Sequence, residues 1–218
     1  MSTGILETLP LPQRLALSYA PRGRREDILA LLALNTRLSG IVRQHGEPVI
    51  AQMKLAWWRD RFAEDRDSWP IGEPLLALLA HWQGDTRMLG HLVDGWEGLL
   101  AERLGRTEIE QFAQGHALAW VALCERKGGA EPDDALRQAA KQFALADLAL
   151  NLSDENERAL AIETLDSIGR GQQPLPRAAR PLAVLRGLAL RALGRGNADL
   201  LDGGGAMALA LRLGIVGR

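Results

Sequence analysis

Apolar residues recur along most of the chain at spacings of three and four, the period of one face of an α-helix. Leu31, Leu34, Leu38 and Ile41 are the clearest run, and they predict a helix from about Arg24 to Gln44, ended by Gly46. Before it, a short helix is expected from Gln13 to Ala20, stopped by Pro21 and Gly23. Residues 1–12 carry two prolines and read as a flexible leader. Glu47-Pro48 opens the next helix, to about Glu64, with Pro in the first turn where its missing N–H costs nothing. Ile50, Met53 and Trp57 line one stripe of it, and Leu55, Trp58 and Phe62 line a neighbouring one. A stripe that wide predicts burial on more than one side.

Glu73-Pro74 opens a fourth helix, to about Trp82, and the turn Gly84-Asp85 leads to a fifth that reaches about Leu104. Thr107 and Glu110 have the spacing of a capping box. The helix they open carries Ile109, Phe112, His116, Trp120 and Leu123 and ends at Arg126-Lys127-Gly128. Glu131 to Asp134 opens the seventh, to about Leu152, and Ser153-Asp154 caps the eighth, to about Ile168. A ninth spans about Arg177 to Leu193. Asn197 to Gly205 reads as a loop, with Gly203-Gly204-Gly205 its flexible part, and a short last helix ends near Leu213. No strand pattern and no fixed-period repeat interrupts the series. The expected architecture is a single all-α domain over residues 1–218, a helical bundle.

Composition sharpens this. Leu (40) and Ala (32) fill about a third of the 218 residues, whereas Val, Ile and Thr together number only 21. That balance favours helix over sheet. The net charge of −1 gives no basic footprint, so no nucleic-acid partner is expected. The single cysteine, Cys124, forms no internal disulfide, so no oxidising compartment is required. No basic, apolar leader and no run of about 18 apolar residues is present, and a cytoplasmic location is the expectation.

The chemistry-bearing residues are sparse. His45, His81, His91 and His116 form no i, i+4 pair, and no zinc site is expected of them. Cys124 reads as a small core residue. Arg22, Arg24 and Arg25 form a basic cluster at a helix start. It suits a phosphate or diphosphate, or, with Glu26 and Asp27 beside it, a solvated mixture of charges. Asp60 and Glu64 stand one turn apart. They have the spacing to share Mg²⁺ or to pair with Arg59, Arg61 and Arg66. Asp147 lies inside the apolar run Phe143 to Leu152, one turn before Asn151, with Asp154 nearby. A buried acid there needs a partner.

The stretch from Leu17 to Phe62 resembles the squalene/phytoene synthase family. Ser18-Tyr19 looks like the family's Ser-Phe pair, and Arg25 and Arg37 stand where it has arginines. The run Met53-Lys54-Leu55-Ala56-Trp57-Trp58-Arg59-Asp60 is similar to its M-R-L-x-W-W-R-D stretch, and Pro174-Leu175-Pro176 resembles the end of its Y-L-P segment. The resemblance implies an all-α isoprenoid-synthase fold, here shortened. It also implies enzymes that join two prenyl diphosphates with Mg²⁺ held between two aspartate-rich motifs. On that pattern Asp147 and Asp154 would be metal ligands, Arg22, Arg25 and Arg37 would grip diphosphate, and Ser18 and Tyr19 would line the cavity.

The chain departs from the pattern at the first motif. Arg37-Leu38-Ser39-Gly40-Ile41-Val42-Arg43 holds no acid, and Ser39, Gly40 and Arg43 stand where the carboxylates belong. A branch of the family that includes an assembly factor of respiratory complex I also lacks the full motif. The Leu34-Asn35-Thr36-Arg37-Leu38 segment is similar to it, with Arg37 in place of an acid. The expectation is therefore a catalytically degenerate member that binds a prenyl or other lipid, or a protein partner in respiratory-complex assembly, with no cofactor. Peripheral contact with the inner membrane fits such a ligand. The alternative is an active prenyl transferase that uses Mg²⁺.

Overall fold

A computed structural model describes residues 2–44, 47–124, 134–171 and 173–217 of the chain. Eleven α-helices and no strand occur among these residues. The helices are α1 (Ser2–Thr8), α2 (Leu11–Ser18), α3 (Arg25–Arg43), α4 (Pro48–Ala63), α5 (Pro74–Leu79) and α6 (Met88–Gly98). They continue as α7 (Arg106–Cys124), α8 (Asp134–Asn151), α9 (Glu155–Ser167), α10 (Arg180–Arg195) and α11 (Gly203–Ile215).

The 3–4 spacing read on α3 buries as predicted: Leu31, Leu34, Leu38 and Ile41 are all within the core. α3 packs against α1, α2, α4, α5, α6 and α7. α6, α7, α8 and α10 pack in succession, and α11 closes the far side of α10. α6 and α7 come closest together because of glycine. A Cβ on Gly115 would meet the His91 carbonyl oxygen at 2.3 Å, so the two backbones touch where any other residue would hold them apart. Gly196 ends α10 with a left-handed φ of 63°, the conformation that glycine adopts without steric cost.

Several boundaries differ from the sequence reading. The expected leader is α1, which packs on α3 and α5, and Leu9 after it is buried. The fifth predicted helix stops at Gly98 instead of Leu104. The capping interaction of α7 is two residues earlier than the Thr107/Glu110 box: Glu108 Oε2 accepts from the Gly105 N–H at 2.9 Å. Gly203-Gly204-Gly205 is not loop but the first turn of α11, because the apolar positions that follow pack on α10 and carry the helix back through the glycines. The end of α7 beyond Cys124, the Glu131–Asp133 start expected for α8, and His45-Gly46 lie outside the described residues.

On α4 only one of the two predicted stripes is in the core. Leu55, Trp58 and Phe62 are buried. Val49, Ile50, Met53 and Trp57 are exposed, Met53 by 68%. The reason is position: α4 packs chiefly on α6, and less closely on α3, so one face has most of its neighbours among the described residues.

Candidate functional site

A cavity that holds Asn35, Arg43 and Asp147 has a volume of about 390 Å³ and is walled by α3, α8, the start of α2 with the loop before it, and the loop after α10. Its deep end is apolar and aromatic: Trp96 of α6, Phe143 of α8 and Leu185 of α10. Pro10, Pro12 and Leu200 close its sides. Such a volume is within the range of small-molecule pockets, about 300–1,000 Å³.

The solvent end is polar. α3 supplies Ser39, Gly40 and Arg43, and α8 supplies Asp147 and Asn151. Arg43 and Asp147 are the only charged residues in the lining. Burial pushes the Asp147 carboxyl up from the ordinary 3.8 to about 6, and the nearby Arg43 guanidinium holds it back. Asn151, one turn on, donates from its side chain to the Asp147 backbone carbonyl at 2.7 Å. Gln13, from the start of α2, meets Thr36 Oγ1 at 3.0 Å and pins the α1–α2 region over the cavity. Gly40 leaves space: a Cβ built there meets nothing within 4 Å.

A polar triangle forms at the floor, with Asn35 and Trp96 in the lining and His116 buried behind them. The Trp96 indole N–H donates to Asn35 Oδ1 at 2.9 Å, and His116 Nε2 lies 2.9 Å from the same oxygen. His116 Nδ1 is 3.0 Å from the Phe112 carbonyl, one turn back on α7. Two N–H groups on the ring would satisfy both oxygens, yet full burial opposes the charge and drives the imidazole down to about 4. Burial is the larger effect, so at neutral pH the ring carries one proton.

The other residues singled out in the sequence are elsewhere. Asp154 does not line the cavity; it caps α9, its carboxylate accepting from the Asn156 and Glu157 N–H groups at 2.9 and 3.0 Å. Arg22 is exposed in a 3-10 turn. Arg25 donates to the Leu17 carbonyl at 2.6 Å, which ties α3 to α2, and Ser18 donates to the Leu15 carbonyl within α2. Arg37 lines a separate hollow of about 470 Å³ between α1, α3 and α5, and pairs with Glu73 at 3.5 Å. Tyr19 lies against Gly214 of α11. Arg59 bridges α4 to α6 through Asp94 at 2.6 Å and Glu97, and Arg61 pairs with Glu64, so Glu64 is bound within its own helix. Cys124 is half-buried, and burial pushes its thiol up to about 12.

Asn35 and Trp96 were given no role from the sequence. The available signal was one amide inside the apolar run Ile28 to Leu38. Among the described residues, no group of three or more His, Cys, Asp or Glu side chains converges as a metal site would require. No helix described is long and apolar enough to cross a membrane.

A family model described as squalene/phytoene synthase matches residues 14–153, which include all of α3 to α8 and most of α2. Neither the curated proteins nor the solved structures contain a match to the chain.

Proposed function

From the premise that this chain belongs to the squalene/phytoene synthase family, we propose that its cavity binds one prenyl or other lipid chain and no longer runs Mg²⁺-dependent condensation. The observation that supports this reading is the charge set at the solvent end. Mg²⁺ demands near-octahedral oxygen ligation and is usually held through carboxylates and substrate phosphates. The lining offers one carboxylate, Asp147, and the α3 side contributes Ser39, Gly40 and Arg43. A guanidinium repels a divalent cation, and a carboxyl that ionises only near pH 6 is a poor ligand below it. These residues do not fit the metal, so no ionisation of a diphosphate is derived through it.

What the residues do fit is an amphipathic ligand. The aromatic and aliphatic deep end takes an apolar chain, with burial of each CH₂ contributing about 0.8 kcal/mol. Asn151, Ser39 and the Arg43–Asp147 pair are left for a polar head at the solvent end. In this reading the protein needs no cofactor. A place beside respiratory-complex assembly rests on the resemblance of the Leu34–Leu38 segment and the Met53–Asp60 run.

The test is calorimetric binding of a neutral prenyl alcohol and of a non-hydrolysable prenyl diphosphate analogue, each with and without Mg²⁺. The expected result is binding of the apolar chain that is indifferent to Mg²⁺ and lost in Gly40→Leu, which fills open space. Tight binding that requires Mg²⁺, with turnover of prenyl diphosphates, would overturn the reading in favour of an active prenyl transferase.

A further inference from the structure

α11 is apolar on both faces. Ala206, Ala210, Leu213 and Gly214 pack inward. Outward, Met207, Leu211, Ile215 and Val216 are exposed by 49, 54, 58 and 55%. The spacing of four between Met207, Leu211 and Ile215 makes one continuous ridge along the helix, which Val216 extends at its end. A helix that is hydrophobic all round is ordinarily covered on both sides. Among the described residues, nothing covers the outer ridge.

From Gly203 to Gly217 the chain has no acidic residue, and its single charge is Arg212, exposed beside Leu211. The C-terminal end of the helix is the basic end. A Cβ on Gly217 would lie 3.7 Å from the Arg180 guanidinium, and exposed Arg177 stands in the turn just before α10. Tyr19 covers Gly214, and exposed Arg22 follows Tyr19 in the next turn. Arg22, Arg177, Arg180 and Arg212 have no carboxylate partner among the described residues, whereas Arg195, at the other end of α11, pairs with Asp202.

From this ridge and its unpaired arginines we infer that α11 docks the protein on an anionic lipid surface. The ridge lies at the boundary between headgroup and acyl chain, and the arginines meet phosphate oxygens. The helix lies on the bilayer and does not span it: thirteen residues reach about 20 Å, against a hydrocarbon core of about 30 Å. A second copy of the chain is a poorer occupant. Four side chains on one helix offer on the order of a few hundred Å², below the roughly 800 Å² per partner of a stable interface. Nothing acidic on the ridge would answer the arginines of the copy. The inference does not depend on what fills the cavity.

The experiment is co-sedimentation of the full chain with vesicles of phosphatidylcholine alone and of phosphatidylcholine with 30–40% phosphatidylglycerol, roughly the anionic content that favours basic surfaces. Binding is expected to the anionic vesicles only, and to weaken as salt is raised. Leu211→Ser/Ile215→Ser is expected to reduce it at least tenfold. Because both residues are exposed, the melting temperature and prenyl-alcohol binding should be unchanged. Arg212→Gln should reduce it severalfold. Ile50→Ser/Met53→Ser on α4, equally exposed and equally apolar, should leave it intact. Three results would overturn the inference: no binding to anionic vesicles at low salt, equal binding by Leu211→Ser/Ile215→Ser, or a solution dimer that this double substitution dissociates. Loss of vesicle binding with cavity binding retained separates this inference from the proposed function.

Discussion

Arg43 on α3 and Asp147 on α8 face one another's field across the solvent end of a single cavity, the only two charges in its lining. The pair joins a position where the resemblance to the family implied a carboxylate to one where a carboxylate is present. A fixed cation therefore answers the acid that a metal would otherwise have to answer. This has a consequence for pH. The native pKa of Asp147, about 6, is above the ordinary 3.8, so the folded protein holds that proton more tightly than the unfolded chain. Its contribution to stability is present in acid and is lost as pH rises from about 4 to about 6.

Asp147→Asn removes that loss. Stability at pH 7 should rise by up to about 2–3 kcal/mol and be unchanged near pH 4. Denaturant titrations at both pH values check it, and an equal gain at the two would refute the assignment. His116 works in the opposite direction. Its native pKa of about 4 is below the ordinary 6.5, so its contribution is present above 6.5 and is lost as pH falls towards 4. The variant should therefore uncover a loss of stability on acidification that the native protein partly conceals.

Asn35→Asp tests the triangle at the floor of the cavity. The new carboxylate would stand where Asn35 Oδ1 now lies, 2.9 Å from His116 Nε2, and favour the imidazolium. The His116 ring should then titrate well above about 4, measured by NMR of its carbon-bound protons. A ring that still does not titrate above pH 5 would mean that burial outweighs even an adjacent charge.

Adjacent tryptophans on α4 should behave differently. Trp58 is 3% exposed and stacks among Phe62 and its neighbours. Trp58→Ala should cost about 3–5 kcal/mol. Trp57 is 37% exposed, with Arg61 over its ring, and Trp57→Ala should cost about 1 kcal/mol or less. The sequence pattern puts Trp57 in a buried stripe; the structure places it outside. Thermal melts of the two variants decide between these readings.

Two glycines within helices make a similar contrast. Gly115→Ala would drive a methyl into the His91 carbonyl and force α6 from α7, at a cost of about 1–3 kcal/mol. Gly40→Ala meets nothing and should stabilise α3 by up to about 1 kcal/mol. Shifts of the same sign in the two would show that the close approach at Gly115 is not a constraint.

The sequence by itself determined the helices and their class. Periodicity is local, so Leu31, Leu34, Leu38 and Ile41 specify both a helix and its inner face without reference to any partner. Proline and glycine punctuation placed α3, α4 and α10 to within a few residues. The resemblance to the family implied an acid at the position that Arg43 occupies. Tertiary structure decided what lies beside what. Two apolar stripes on α4 are equivalent until α6 covers one of them. Gly203-Gly204-Gly205 is intrinsically poor helix until α10 supplies a surface for Ala206 and Ala210. Asp147 and Asp154 look alike as acids near one helix end, yet one faces a cavity and the other caps α9. Burial and charge pairing depend on residues distant in the chain, and only the packing of α3 against its neighbours brings Arg43, Asn35 and Asp147 to one cavity.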